Sequence, residues 1–141
     1  MSYEATTVAR IIDRINRTYF LPAIQRPFVW SPDQIVALFD SLLKGYPISS
    51  FLFWEIKPER RGDWEIYKFI ENFKFGDTHN ELAESDGRDV VLVLDGQQRL
   101  TSLLIGLQGS FTIRPKYVRR NNADGWVRQR LYIDLAEGPG H

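Results

Sequence analysis

Cysteine is absent from this 141-residue chain, and histidine occurs only as His79 and His141. Without cysteine the chain cannot form a disulfide framework, use a thiol nucleophile or hold zinc through thiolates. Two histidines are too few for a multi-histidine metal centre. No apolar run approaches the roughly 18 residues that a membrane span needs, and the first 16 residues lack the apolar core of a secretory signal. We therefore expect a cytoplasmic protein with no membrane segment.

What the chain does contain is enough apolar material for a core. Hydrophobic residues make up 43% and aromatic residues 13% of the sequence, which favours one folded domain over residues 1–141. Helical and strand-like patterns alternate, so the fold class is predicted to be α+β or α/β. The predicted helices begin at Val8, Pro32 and Gln97. The first is capped by Thr6 or Thr7, and the second by a capping box of Ser31 and Gln34. The third carries Leu100, Leu103, Leu104 and Leu107 on one apolar side. The predicted strands cover 19–24, 48–56, 64–70, 90–94 and two segments flanking 121–125. Residues 72–88 are polar and are predicted to form a long surface loop.

The formal net charge of zero conceals two charged stretches. Residues 71–95 carry seven acidic residues against Lys74 and Arg88, and residues 114–130 carry six basic residues against Asp124. Both can be solvated loops and strand faces, but the basic stretch can also be a phosphate-facing surface. Charge alone does not decide between these interpretations.

The most informative stretch is Asp89–Gly109, DVVLVLDGQQRLTSLLIGLQG, in which a buried strand leads through Asp-Gly-Gln-Gln-Arg into an apolar helix. A helix that begins there presents unpaired backbone N–H groups and the positive end of its dipole. Gly96 permits close approach, the two glutamines add neutral donors, and the guanidinium of Arg99 fits two phosphate oxygens. We predict an anion-binding corner with phosphate as the preferred anion. In the alternative, Asp95 only caps the helix and Arg99 lies in solvent.

Three segments together carry a family resemblance: Gln25–Trp30 (QRPFVW), Gly45–Ser49 (GYPIS) and Asp95–Arg99 (DGQQR). Their combination resembles the N-terminal domain of the GmrSD-type, modification-dependent restriction endonucleases, which belongs to the ParB/sulfiredoxin-like fold group. The resemblance implies an α+β fold with a mixed sheet and flanking helices. It also implies that residues 1–141 are a ParB-like N-terminal fragment of a longer multidomain protein without its nuclease domain.

The same resemblance implies a function. Members of the family are associated with nucleoside triphosphate binding and hydrolysis, coupled to DNA restriction by a separate nuclease domain. The chain would then be a regulatory or sensor domain of a phage-defence restriction system. Its implied partners are a nucleoside triphosphate with Mg²⁺, DNA through the full-length protein, and a C-terminal helical or nuclease domain or a partner subunit. The redox chemistry of sulfiredoxin-like members is excluded because the chain has no cysteine.

Site residues follow from the motif and its match to the family. The residues expected to contact nucleotide or phosphate are Gln25, Arg26, Gly96, Gln98, Arg99 and Thr101. The catalytic candidates are Asp95, Gln97 and Gln98, of which Asp95 is also the candidate Mg²⁺ ligand because it ends a buried strand at the corner. A competing interpretation is that Arg26 forms an internal ion pair, for example with Asp95. There is no Walker A motif, so the chain is not a P-loop enzyme.

Two alternatives stay open at this stage. In the first, the chain is a DNA-binding module that grips backbone phosphates with a basic hairpin, aided by Trp126 or Tyr117. The basic residues of that hairpin are Arg114, Lys116, Arg119, Arg120, Arg128 and Arg130. In the second, the domain cleaves nucleic acid itself, with Asp89 and Asp95 as the available carboxylates, although the sequence shows no metal–carboxylate cluster.

Overall fold

The computed structural model describes residues 4–75, 78–84, 89–113 and 126–132. Within these ranges the chain forms α-helices and two mixed sheets, which confirms the predicted α+β class. Among the helices of these ranges, none combines the length and hydrophobicity needed to cross a membrane.

The first two helices begin where the sequence places their caps. Helix α1 spans Val8–Arg14, and the hydroxyl of its N-cap Thr7 accepts a hydrogen bond from the third helical N–H. Helix α2 spans Pro32–Leu43. Its N-cap Ser31 accepts from the Gln34 N–H at 3.3 Å, and the Gln34 side chain accepts from the Ser31 N–H at 2.8 Å. This reciprocal pair is the predicted capping box, which satisfies backbone donors that the helix cannot.

Strand β6 is an inner strand of the larger sheet. The strands are, in chain order, β1 (Tyr19–Pro22), β2 (Leu52–Ile56), β3 (Ile66–Tyr67), β4 (Asn72–Lys74), β5 (Leu82–Ala83), β6 (Val90–Asp95), β7 (Ser110–Ile113) and β8 (Val127–Gln129). The larger sheet has the order β2-β6-β1-β3-β5, in which β6 runs parallel to β1 and antiparallel to β2. The apolar run at residues 90–94 is therefore the buried inner strand that its composition predicts.

Helix α3 (Gln97–Gln108) connects β6 to the smaller sheet. That sheet has the order β4-β7-β8, with β4 parallel and β8 antiparallel to β7. The predicted pairing of the strands on either side of residues 121–125 is thus confirmed, while the residues joining them lie outside the described ranges. The third strand of this sheet, β4, pairs with β7, and its Phe73 packs against Phe111 of β7 with ring centroids 4.9 Å apart.

Side-chain alternation gives the larger sheet two different faces. Tyr19, Leu21 and Val93 face the three helices and share a core with buried residues of α1, α2 and α3. Phe20 and Leu92 point the other way, into a smaller cluster to which no described helix contributes. The helices therefore cover one face of the sheet, and the second face is closed mainly by strand residues.

Some predicted boundaries are wrong, for identifiable reasons. The strand predicted over 48–56 begins only at Leu52, because Ser49 adopts a left-handed conformation with φ 79°. The strand predicted over 64–70 is reduced to β3, since the backbone of Phe69 pairs with the side chain of Asn16 at 2.6 and 3.0 Å instead of with a strand. The predicted loop over 72–88 contains β4 and β5. Leu107, predicted to share the apolar side of α3, is 52% exposed.

The left-handed Ser49 provides the first testable prediction. A residue with a β-carbon is destabilised by about 1–2 kcal/mol in the left-handed region. Glycine has no β-carbon to clash, but its greater freedom in the unfolded chain lowers the free energy of unfolding by about 0.5–1 kcal/mol. We expect Ser49→Gly to raise the free energy of unfolding by up to about 1 kcal/mol in urea titrations. Ser50→Gly, at a neighbour without positive φ, should lower it by about 0.5 kcal/mol; equal effects at the two positions would contradict this account.

Candidate functional site

The DGQQR motif forms the corner at which β6 ends and α3 begins. Gly96 is the N-cap of α3 and has φ 89°, a conformation that favours glycine. A β-carbon here would lie 2.3 Å from the Phe51 ring, so glycine is also required by space. No side chain caps the helix; the carboxylate of Asp95, which is exposed, instead accepts from the Gly96 N–H at 3.0 Å. The first-turn N–H groups therefore lack a side-chain acceptor.

Gln98 holds the QRPFVW segment at this corner through two hydrogen bonds. Its Oε1 accepts from the backbone N–H of Val29 at 3.0 Å, and its Nε2 donates to the carbonyl of Pro27 at 3.1 Å. Both ends of the amide are thereby used on one short stretch of backbone. The sequence predicts Gln98 as a ligand or catalytic group; the geometry adds a positioning role that has no signal in the sequence.

Arg99 likewise forms hydrogen bonds to the backbone at the end of the GYPIS segment and just after it. Its Nη1 and Nη2 donate to the carbonyls of Ile48 and Ser50 at 2.5 and 3.0 Å, and the guanidinium lies 4.7 Å from the Phe51 ring centroid. Arg99 does not lie free in solvent, so that alternative is wrong. Phosphate binding by this side chain stays a prediction, since two of its five N–H groups already bond to backbone.

The three motifs of the resemblance thus meet at one turn of helix. Consecutive side chains of α3, Gln98 and Arg99, each bond to backbone about 50 to 70 positions earlier in the chain. The two bonds to the Gln98 amide hold the backbone directly after the Gln25–Arg26 pair next to the uncapped helix start. In the sequence the three segments are only a pattern, and these hydrogen bonds give that pattern a physical cause.

Gln25 and Arg26 differ in their exposure to solvent and in the contacts that their side chains need. Arg26 is exposed, and in the described part of the chain it forms no hydrogen bond or ion pair. The internal Arg26–Asp95 ion pair considered from the sequence is not formed. Gln25 is half-buried, and its Oε1 is a buried acceptor without a hydrogen-bond partner. A buried acceptor of this kind costs about 1–3 kcal/mol unless a donor reaches it.

Comparison with known proteins agrees with this convergence of motifs. The model of the family described as the GmrSD restriction endonuclease, N-terminal domain, matches residues 8–136. The chain belongs to this family. An uncharacterized protein of Methanocaldococcus jannaschii is 36% identical over 135 residues, which cover 89% of this chain and 20% of that protein. The chain therefore spans about a fifth of the length of the curated relative that it matches.

In this GmrSD N-terminal domain, the two remaining candidates on α3 form hydrogen bonds to nearby backbone, in β6 or in α3 itself. Gln97 donates to the Val93 carbonyl at 2.9 Å. The Thr101 hydroxyl donates to the Gln97 carbonyl one turn earlier at 2.9 Å, and the residue is only 3% exposed. Such back-bonding is ordinary for a helical threonine. Ligand contacts by Gln97 and Thr101 stay predictions that these geometries do not test.

The basic stretch of the GmrSD domain is only partly described. Arg114, Lys116, Arg119 and Arg120 lie outside the described residues. Arg128 donates from Nε to the buried Ser110 hydroxyl at 3.0 Å, so it holds β8 to β7. Arg130 is exposed. DNA binding by this stretch stays a prediction, with Arg128 engaged inside the smaller sheet.

Proposed function

We propose that this GmrSD N-terminal domain is the nucleoside-triphosphate-binding regulatory part of a DNA restriction protein. The observation that carries the proposal is the pair of hydrogen bonds by which Gln98 holds the backbone of Pro27 and Val29, directly after the Gln25–Arg26 pair, at the first turn of α3. A helix start without a side-chain cap and an arginine that has no partner among the described residues are a favourable combination for a polyanion.

The phosphates would bind to backbone first and to Arg26 second. The N–H groups of the first turn of α3 have no side-chain acceptor and carry the positive end of the dipole. Arg26, which has no partner to give up, would contribute a charge-assisted bond of about 2–3 kcal/mol when desolvated by the ligand. Arg99 would act mainly by fixing the 48–50 backbone, using its remaining N–H groups for phosphate.

Gln25 would contact another part of the nucleotide. Its buried Oε1 lacks a donor, and a ribose hydroxyl or an exocyclic amine of the base can supply one. The free energy lost by leaving this acceptor unpaired would then be recovered on binding.

Mg²⁺ would be held mainly by the triphosphate. In the described ranges no group of three or more histidine, aspartate or glutamate side chains is arranged to hold a metal ion. The exposed carboxylate of Asp95 fits a cation that is already bound to phosphate oxygens, which is how Mg²⁺ commonly binds at nucleotide sites. Mg²⁺ would neutralise phosphate charge, and Asp95 and Gln97 would orient a water molecule.

Arg26→Ala tests the proposal directly. We expect the affinity for a nucleoside triphosphate with Mg²⁺ to fall about 30- to 150-fold in isothermal titration calorimetry, because one charge-assisted contact is lost. Since Arg26 is exposed and unpaired, the free energy of unfolding should change by less than about 0.5 kcal/mol.

Arg10→Ala is the matched control, because it removes an exposed arginine from α1. It should leave the affinity unchanged. Wild-type protein that binds none of ATP, GTP and CTP, or an Arg26→Ala variant that binds as tightly as wild type, would contradict the proposal. Phosphate release that is lost in Asp95→Asn with binding retained would add hydrolysis to the function.

A further inference from the structure

Two tryptophans are exposed on the edge of the larger sheet. Trp54 on β2 is 46% exposed, and Trp64, which follows the 3-10 helix Pro58–Asp63, is 39% exposed. Their ring centroids lie 5.0 Å apart with an interplanar angle of 76°. Perpendicular indoles in contact form a corner with two flat apolar walls, both partly open to solvent.

The tryptophan pair is on the opposite side of the sheet from the helices. Phe53 stacks on Tyr19 at 4.7 Å within the helix-facing core. By strand alternation Trp54 shares the other face with Ile56, which belongs to the smaller cluster. Trp54 pairs with Leu92 in the middle of β6, whereas the nucleotide corner begins at Asp95, the last residue of that strand. The two surfaces are therefore separate.

A cavity of about 370 Å³ lies against the two indoles. This volume is near the lower end of the range for small-ligand sites, roughly 300–1,000 Å³. Lys57, Arg60 and Asp63 line it together with the strand residue Glu55. Arg60 and Asp63 are 3.9 Å apart and both well exposed, so their ion pair is weak and both remain able to contact a ligand.

We propose that this cavity, the tryptophan cleft, binds an unpaired nucleobase of a nucleic-acid strand. A base has the flat faces and polar edge that match two perpendicular indoles with charged groups around them. Stacking on aromatic side chains supplies much of the affinity in single-strand recognition, and bases turned out of a duplex are read in such pockets. The inference does not depend on nucleotide binding at α3.

The charge of the cleft refines the proposal. Asp63 pairs with one of the two lining cations, Arg60, so the cleft carries little net positive charge and stacking supplies most of the affinity. Lys57 and Arg60 can each meet one backbone phosphate, and each phosphate contact contributes about 0.7 to the salt slope of single-strand binding. The cleft therefore has a shallow salt dependence, with a slope of about 1–2, unlike a basic patch that grips the backbone.

Fluorescence anisotropy of a labelled 12-nucleotide single-stranded DNA tests the cleft. Trp54→Ala and Trp64→Ala should each weaken binding about 5- to 150-fold, the range expected for one lost stacking contact. Trp54→Phe keeps a smaller ring and should lose less than about 5-fold, which maintains the test if an alanine variant folds poorly. The fully paired duplex of the same sequence should bind more weakly than the single strand.

Phe75→Ala and Arg10→Ala are the controls. Phe75 follows β4 and is 65% exposed, and Arg10 is an exposed residue of α1, so both variants should keep wild-type affinity for the oligonucleotide. Unchanged binding in folded Trp54 and Trp64 variants, an equal loss in Phe75→Ala, or no binding by wild type would overturn the proposal. Self-association that is lost in Trp54→Phe, seen by sedimentation without oligonucleotide binding, would also overturn it in favour of an interface between copies of the chain. A protein that binds oligonucleotide but no nucleoside triphosphate would separate this inference from the proposed function.

Discussion

Replacing Arg99 by alanine is expected to lower the free energy of unfolding by about 2–3 kcal/mol and to weaken nucleotide binding. The guanidinium donates to two backbone carbonyls, at Ile48 and Ser50, and lies over Phe51. Each partly exposed hydrogen bond to a charged group contributes about 1 kcal/mol or somewhat more, and the cation–π contact about 0.5–1 kcal/mol. Urea denaturation followed by circular dichroism measures the change.

Arg99→Lys separates the charge of the residue from its shape. A lysine ammonium retains the positive charge but cannot reproduce the planar fork that bridges two carbonyls. We expect it to recover about half of the lost stability. If Arg99→Lys were as stable as wild type, the two carbonyl contacts would not be important, and Arg99 would act through its charge alone. Arg26→Ala should weaken nucleotide binding while leaving the free energy of unfolding nearly unchanged. Comparing it with the Arg99 variants therefore distinguishes a residue that contacts the nucleotide from one that positions the backbone around it.

Gly109→Ala is expected to be strongly destabilising, more so than alanine at any other glycine of the described residues. Gly109 ends α3, and a β-carbon there would lie 1.7 Å from the carbonyl oxygen of Glu71, a backbone atom that cannot rotate away. The same carbonyl accepts from the Ser110 N–H at 3.2 Å, at the point where β4 and β7 begin to pair. Overpacking of this kind costs about 3 kcal/mol or more, because the two strands must separate.

Gly62→Ala provides the control for Gly109→Ala. A β-carbon at Gly62 would meet nothing within 4 Å, so its effect should stay within about 0.5 kcal/mol. Thermal and urea unfolding of the two variants measure both effects. A Gly109→Ala protein as stable as wild type would show that β4 does not lie against the end of α3.

Local signals were enough to predict several elements of the fold. The caps at Thr7 and Ser31 and the apolar run at 90–94 act over a few residues, and each appears as predicted. The left-handed turn at Ser49 has no comparable signal, because serine is not a residue that usually adopts positive φ. The short strands β4 and β5 were missed because their pairing partners, β7 and β3, lie elsewhere in the sequence.

The candidate site was predictable as a location but not as a set of contacts. The strand, the glycine and the helix at Asp95–Leu100 give the position of the corner, and the structure forms it. The partners of Gln98 are backbone groups 69 and 71 positions away, and no local pattern identifies them. A side chain that binds ligand and one that binds distant backbone have the same appearance in a sequence, so the roles of Gln98 and Arg99 could not be distinguished there.

The parallel pairing of β1 with β6 has a consequence for how the domain is made. Tyr19 pairs with Val91, which is synthesised 72 residues later. On a ribosome β1 emerges long before its neighbour, and pairing over such a distance in sequence slows folding. A nascent chain that stops short of β6 would display Phe20 and Leu21, both 3% exposed in the finished domain, to solvent. Chaperone binding to such truncated chains should therefore diminish once translation has passed β6.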